Sequence, residues 1–363
     1  MEVMMRLLTR HWTTFVPLIA LVVLAIAWFT HPSGPVVIVL VLALAGATLA
    51  AVQHAEVVAH RVGEPFGSLV LAVAVTVIEV GLILTLMASG GPEASSLARD
   101  TVFAAVMITC NGIFGLSLLV GALRRRVAVF NAEGTGAALA TVATLATLSL
   151  VLPTFTTSKP GPEFSGSQLA FAAVASLLLY GLFVTVQTIR HPDDFRPVEQ
   201  AEDDDEHHEP PSLRSTVLSL VLLVVALVGV VGLAKMVSPA IENGVHAAGL
   251  PRSAVGVVIA LLVLLPETLA AVRSARRDRV QISLNLALGS AMASIGLTIP
   301  AIAIATLWIS GPLTLGLGAT QMVLLALTVV VGALTVVPGR ATLLQGGVHL
   351  VLFAAFVFLA VSP

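Results

Sequence analysis

Val255-Gly-Val-Val-Ile-Ala-Leu-Leu-Val-Leu-Leu-Pro-Glu-Thr-Leu-Ala-Ala-Val-Arg273 is an apolar run interrupted by a single carboxylate, Glu267. A second run of the same kind, Phe66-Gly-Ser-Leu-Val-Leu-Ala-Val-Ala-Val-Thr-Val-Ile-Glu-Val-Gly-Leu-Ile-Leu84, carries Glu79. Each is long enough to cross the hydrocarbon core of a bilayer as a helix, which takes about 20 residues. A charge near the bilayer centre costs about 2.5–3.5 kcal/mol on insertion scales, so such acids face a bundle interior and mark ion or proton paths. Every other acid falls at the end of an apolar run, in a loop or in a hydrophilic segment.

The surroundings of these runs are equally apolar. The chain is 57% hydrophobic and 10% charged with a mean hydropathy of +1.02, against about 25% charged in soluble domains, so lipid is the solvent for most of it. The fold class expected is an all-α polytopic membrane protein. Its one cysteine, Cys110, lies in an apolar run and leaves neither a disulfide framework nor a thiolate metal site. The net charge of −2 is confined to loops, and no basic, aromatic-studded surface points to nucleic acid. Arg6 and Arg10 precede an apolar run as in a signal peptide, but the run is long and lacks a small-residue cleavage pattern, so an uncleaved first helix is expected.

Turn residues divide the chain into eleven apolar runs, near 13–30, 35–53, 66–88, 101–123, 135–154, 167–189, 213–235, 252–272, 281–308, 312–336 and 342–361. The run 281–308 holds Pro300 and is expected to kink or break there. Basic residues favour cytoplasmic loops. With the N-terminus inside, all but Arg99, Lys159, Lys235 and Arg252 of the 18 Lys and Arg residues fall on the cytoplasmic side. Dropping one helix would send the Arg124–Arg126 and Arg273–Arg279 clusters to opposite sides. Eleven crossings leave the C-terminus outside.

One extended hydrophilic segment, 191–212, separates the halves and is expected in the cytoplasm. Its acidic block Glu202–Glu209 reads as a solvated linker; a cation or pH sensor using these carboxylates with His207 and His208 is the sharper alternative. The organisation expected is a first helix and loop (1–34), a five-helix repeat (35–190), the acidic linker (191–212) and a second five-helix repeat (213–363). Glu79 and Glu267 each fall in the second helix of a five. An odd number of crossings per half inverts one repeat relative to the other, a recurrent transporter design with its ion site near the midplane at the repeat interface.

The helix after each glutamate helix carries small and polar residues: Met107-Ile-Thr-Cys-Asn-Gly112 and Ser283-Leu-Asn-Leu-Ala-Leu-Gly-Ser-Ala-Met-Ala-Ser294. Oxygens of Asn111, Ser290 and Ser294 could join a carboxylate around a hard cation, although close helix packing also accounts for the small residues. On the cytoplasmic side Glu56, His60 and Glu64 read either as interfacially solvated or as a cation entrance and proton relay. Gln187, Gln281, Asn285, Gln321, Gln345 and His349 lie in or near apolar runs, where interhelical hydrogen bonding is the expected role.

At these residues the chain resembles a calcium/proton antiporter of the cation/calcium exchanger superfamily, in particular the bacterial ChaA-type antiporters. Two motifs carry the likeness. The first is Gly63-Glu-Pro-Phe-Gly-Ser-Leu-Val-Leu-Ala-Val-Ala-Val-Thr-Val-Ile-Glu79; the second is Leu264-Leu-Pro-Glu-Thr-Leu-Ala with Leu286-Ala-Leu-Gly-Ser290. The resemblance implies that Glu79 and Glu267 bind the cation, and that Gly289 and Ser290 occupy the Gly-Ser position after the second acid. Asn111 matches either Ser290 or Ser294. The chain departs from better-known exchangers in having Val77-Ile78 and Leu265-Pro266 where they place Gly-Asn before each glutamate.

The expected activity is exchange of Ca²⁺ for H⁺ across the bacterial cytoplasmic membrane by alternating access, with cation and protons sharing the two glutamates. Carriers of this kind need no cofactor; the cations and protons are cargo, and membrane lipid is the surrounding partner. A Na⁺(K⁺)/H⁺ antiporter on the same scaffold is the nearest alternative. A membrane-embedded enzyme should show a nucleophile or a His-Glu-x-x-His cluster, and neither is present. A channel would be built around a symmetric filter, which single buried acids in inverted halves do not suggest.

Overall fold

The computed structural model describes residues 2–30, 34–63, 66–89, 95–198, 211–251, 253–308 and 311–362. The expectations that rest on Glu64 and on the acidic block with His207 and His208 lie outside them. In chain order the helices are α1 (Glu2–Thr30), α2 (Val36–Val62), α3 (Phe66–Ser89), α4 (Leu97–Met107), α5 (Phe114–Arg125), α6 (Ala132–Ala146) and α7 (Gly166–Thr185). After the linker come α8 (Leu213–Ala247), α9 (Ser253–Val263), α10 (Leu265–Arg276), α11 (Val280–Ala305), α12 (Ala319–Val336) and α13 (Leu343–Val361). Two short strands, β1 (Ala128–Val129) and β2 (Arg340–Ala341), and several short π-helical and 3₁₀ turns accompany them. A nearly all-helical chain is the expected answer to a solvent that cannot hydrogen-bond a free backbone.

Among the described residues nine helices are long and apolar enough to span a membrane, or ten if the bent pair α9 and α10 forms one span. α3, helical over 24 residues, stands where the third crossing is expected. α4 and α5 form a single crossing, Leu97–Arg125, joined through a π-helical turn over Ile108–Ile113.

Two expectations are corrected. Pro300 does not interrupt its helix, since α11 runs unbroken from Val280 to Ala305. The lost donor lies near the C-terminal end, and membrane helices tolerate proline when neighbours re-satisfy the freed carbonyl. The break falls instead within the eighth run, where α9 and α10 meet at 54°. The tenth run also begins late: α12 starts at Ala319, and 311–318 runs outside any helix.

The chain forms two compact units, one of Met1–Leu86 with Asp205–Gly249 and the other of Met87–Asp204 with Leu250–Pro363. In the first, α1, α2 and α8 pack on one another. Small residues allow the close approach: Gly232 of α8 lies against Leu24 of α1, Gly46 of α2 against Val16, and a methyl group added to Gly81 of α3 would stand 2.5 Å from Val231 of α8. His54, buried in α2, donates from Nε2 to the Thr13 carbonyl at 2.9 Å. The Lys235 ammonium sits 5.2 Å from the centre of the Trp28 ring.

The second unit is held at both ends by its loops. At one end β1 and β2 pair antiparallel, Ala128 opposite Ala341 and Val129 opposite Arg340, joining the α5–α6 and α12–α13 loops. At the other end the 311–318 segment is stitched to the α6–α7 connection: Gly316 N donates to the Pro162 carbonyl (2.9 Å), Leu317 N to that of Leu150 (2.8 Å), and Thr154 Oγ1 to that of Leu317 (2.9 Å). Thr314 N donates to Ser95 just before α4 (3.0 Å), and Arg99 of α4 donates to the Gly316 carbonyl (3.2 Å) while pairing with buried Asp100 at 2.8 Å. These bonds explain why the segment is extended. Its backbone groups are satisfied across the unit rather than along a helix.

Asn285, on α11, donates to the Phe195 carbonyl at 2.6 Å, and the Phe195 ring packs edge-on against Phe183 of α7 at 5.6 Å. The opening residues of the hydrophilic segment are therefore docked on the unit.

Candidate cation site

Glu267 stands in the first turn of α10 and is 6% exposed. Its position follows from the dipeptide before it. Pro266 has no N–H, so the Leu262 carbonyl loses the donor that would continue α9, and its ring is compatible only with the first turn of a new helix. Leu264, at φ −86° and ψ 1°, makes the corner. Its carbonyl accepts from both Thr268 N (2.9 Å) and Thr268 Oγ1 (2.7 Å), which fixes the start of α10. A discontinuous membrane helix exposes unpaired carbonyls at one broken end and N–H groups with a partial positive charge at the other. A carboxylate in that first turn is electrostatically favoured and stands beside the freed carbonyls, an arrangement that suits cation binding.

α11 packs against α10. Ser283 Oγ donates to the Ala271 carbonyl of α10 at 2.6 Å and lies 2.6 Å from Ser117 Oγ of α5, so the face of α11 carrying Ser283 is turned toward the Glu267 helix. Ser290 lies seven residues on, about 20° round the axis from Ser283, and Ser294 one step further on the same side. Ser294 is buried, while Ser290 and Gly289 are half-buried. A methyl group added to Gly289 would meet nothing within 4 Å, so close packing is not what requires this glycine. The contrast is Gly296, whose added methyl would stand 2.7 Å from Tyr180 of α7.

Asn111 is fully buried in the π-helical turn between α4 and α5. Its amide donates to Thr328 Oγ1 of α12 (2.9 Å), and its oxygen lies 3.1 Å from Nδ1 of His349 on α13. The turn's widened backbone thus aims Asn111 at α12 and α13, where protein groups occupy both of its polar atoms. His349, with Nε2 3.3 Å from Thr335 Oγ1, hydrogen-bonds between helices as its place in an apolar run suggested.

In the other unit Glu79 is 3% exposed on α3, with Ile78 and Ile83 buried beside it. Glu56 and His60 lie on the exposed face of α2. The expected interhelical roles of the remaining amides divide. Gln281 bridges Asn131 N (2.6 Å), Thr135 Oγ1 (3.3 Å) and Asn285 Oδ1 (2.8 Å), whereas Gln345 caps its own helix through Thr342 N at 2.8 Å. Sequence reading missed the Ser283 bridge to α10, although Ser283 opens the small-residue run that drew attention to Ser290.

A family model, sodium/calcium exchanger protein, matches residues 33–189 and 218–362. A Sinorhizobium fredii (strain NBRC 101917 / NGR234) protein assigned as an ionic transporter, y4hA, is 45% identical over 356 residues, covering 97% of this chain and 96% of its own. The sodium-potassium/proton antiporter ChaA of Escherichia coli (strain K12) is 36% identical over 357 residues, 96% of each chain. Among solved structures, native YfkE superposes with a TM-score of 0.73 at 15% identity, over 97% of this chain and 100% of its own. The H⁺/Ca²⁺ exchanger CAX gives 0.66 at 14% identity, over 96% and 93%. At these identities the likeness to the solved structures is one of fold.

Proposed function

Because the chain belongs to the sodium/calcium exchanger protein family, we propose that it exchanges Ca²⁺ for H⁺ across the bacterial cytoplasmic membrane, with Glu79 and Glu267 alternately holding cation and protons. It is a multi-pass membrane protein of ion transport, not an enzyme, and no bound cofactor takes part. The observation that carries the reading is Glu267, buried at the first turn of α10 where α9 breaks. Two carboxylates match the charge of one calcium ion, and the Ser290 and Ser294 hydroxyls, backbone carbonyls and water would complete the 6–8 oxygens calcium prefers.

Antiport follows from competition. Ion and protons need the same carboxylate oxygens, so one leaves as the other binds. An empty pair of charges is too costly to carry through the low-dielectric core, whereas either loaded form can reorient. A second reading, Na⁺ or K⁺ exchange for H⁺, is favoured by the 36% identity to an antiporter named for sodium and potassium.

The orientation proposed puts the N-terminus and acidic linker in the cytoplasm and the C-terminus outside. Loop pairing supports it. The β1–β2 pairing brings the loop after Arg124–Arg126 together with Arg340, and the opposite end joins 311–318 to the connection holding Lys159. The two pairings also support inverted five-helix repeats: each joins a loop between the third and fourth crossings of one half to a loop between the fourth and fifth of the other.

The test is proton flux in vesicles holding the purified protein, driven in turn by Ca²⁺, Na⁺ and K⁺. Calcium-driven flux lost in Glu79→Gln and in Glu267→Gln is the result expected. Full flux in either variant overturns the shared site, and flux driven only by Na⁺ or K⁺ selects the second reading.

A further inference from the structure

Many helical threonines among the described residues bond to the preceding turn. Thr48, Thr109, Thr144, Thr188, Thr268 and Thr328 each donate to the carbonyl four residues back at 2.6–2.9 Å. Thr101 of α4 and Thr298 of α11 do not. Both are 0% exposed, and neither Oγ1 has a hydrogen-bond partner among the described residues. A buried hydroxyl that forgoes a back-bond available on its own helix is normally destabilising, so these two are oriented toward something other than their own backbone.

Their positions give the reason. Ser290, Ser294 and Thr298 succeed one another at four-residue steps, each about 6 Å further along α11 and about 40° round the axis. This row begins on the face that Ser283 turns toward α10. It runs away from the α10 corner toward the end of the unit where 311–318 is stitched. Thr101 reaches the same region from another helix. α4 packs against both α9 and α11, and a methyl group added to Gly256 of α9 would stand 3.2 Å from Thr101 N. Thr101 lies six residues beyond Ser95, which accepts from Thr314 of that same end. Both threonines therefore lie toward the 311–318 end of the unit, Thr101 about one turn into α4 and Thr298 about two turns before the end of α11.

We propose that Thr101 and Thr298 supply hydroxyl oxygens to a partly dehydrated hard cation passing between Glu267 and the 311–318 end, extending the Ser290–Ser294 row into a passage. The proposal rests on the cation/proton antiport reading. Neutral hydroxyls suit the role: they replace water on the ion without binding it as tightly as a carboxylate, so the ion moves on.

Valine has threonine's shape without its hydroxyl, and removing an unpaired buried hydroxyl should leave the fold as stable or more so. Thr298→Val and Thr101→Val are compared with Thr298→Ser, and with Thr144→Val as a control at an exposed, back-bonded position. The readouts are initial rates of cation-driven proton flux in vesicles, with Ca²⁺, Na⁺ or K⁺ as probe, and melting temperatures in detergent. The expected result is a rate lowered about tenfold in each valine variant at an undiminished melting temperature, largely recovered in Thr298→Ser. Valine variants that keep pace with the wild type overturn the proposal, as does a rate loss accompanied by a lowered melting temperature or shared by Thr298→Ser. A wild-type protein that exchanges none of the three cations overturns the antiport reading along with this one.

Discussion

Nδ1 of His349 lies 3.1 Å from the side-chain oxygen of Asn111, tying the last helix to the π-helical turn of the fourth crossing. The Asn111 oxygen can only accept, so Nδ1 carries the proton and Nε2 is left to accept from Thr335 Oγ1. The pair belongs to a closed polar cluster with Thr328 inside an apolar packing that includes Phe114, whose ring centre is 4.9 Å from that of His349.

Asn111→Leu removes a side-chain acceptor from His349 Nδ1 and the amide donor to Thr328. It should lower stability by about 1–3 kcal/mol, the range for an orphaned buried group. A double-mutant cycle with His349→Leu should recover part of the loss, with a coupling of about 0.6–1.7 kcal/mol, as found between membrane helices. Denaturation in detergent measures both, and additive single losses would show that the 3.1 Å contact carries no coupling.

Pro266→Ala returns the missing N–H and lets α9 run on toward α10. The prediction is an unchanged or slightly higher melting temperature with proton flux down about tenfold, because the proposed site uses the broken end at Glu267. Flux at the wild-type rate would mean that the 54° bend is incidental to transport.

Glycines separate packing from open space. A methyl group on Gly346 would stand 2.8 Å from Leu119 N and 3.0 Å from the Gly115 carbonyl, both backbone atoms that cannot turn aside. Gly346→Ala should cost about 1–3 kcal/mol. Gly289→Ala, with nothing within 4 Å, should gain about 0.5–1 kcal/mol of helix stability. Melting temperatures of the two variants should move in opposite directions.

Loop pairing predicts sidedness. With Cys110 replaced by serine, single cysteines at Val129 and Arg340 should both escape an impermeant thiol reagent applied outside intact cells, and cysteines at Lys159 and Pro312 should both react. Members of one pair labelling from opposite sides would contradict the β1–β2 and Gly316–Pro162 bonds.

Phe195 should anchor the start of the hydrophilic segment. Phe195→Ala removes the packing on Phe183 and loosens the Asn285 bond to its carbonyl, so limited proteolysis between 191 and 198 should speed up several-fold while the helices stay intact. Unchanged cleavage would assign the anchoring to other contacts.

By itself the sequence determined the solvent, the helical class, all but a few residues of most crossings, and the place of two acids inside apolar runs. These are properties of composition and run length, which the bilayer reads one segment at a time. It also held the family motifs around Glu79 and Glu267. Tertiary structure decided what depends on neighbours. Proline marks a lost donor, but only packing determines whether the helix breaks, as at Pro266, or continues, as at Pro300. The segment 311–318 is apolar enough to look helical, yet its backbone is satisfied by Ser95, Leu150 and Pro162, residues distant in the chain. Asn111 reads as a ligand by type, and only the fold reveals that its polar atoms are engaged by Thr328 and His349. Thr298 reads as one more apolar-run threonine until its burial and its unbonded hydroxyl are known. A residue's type sets what it can bond to, and the helices packed around it decide which of those bonds it makes.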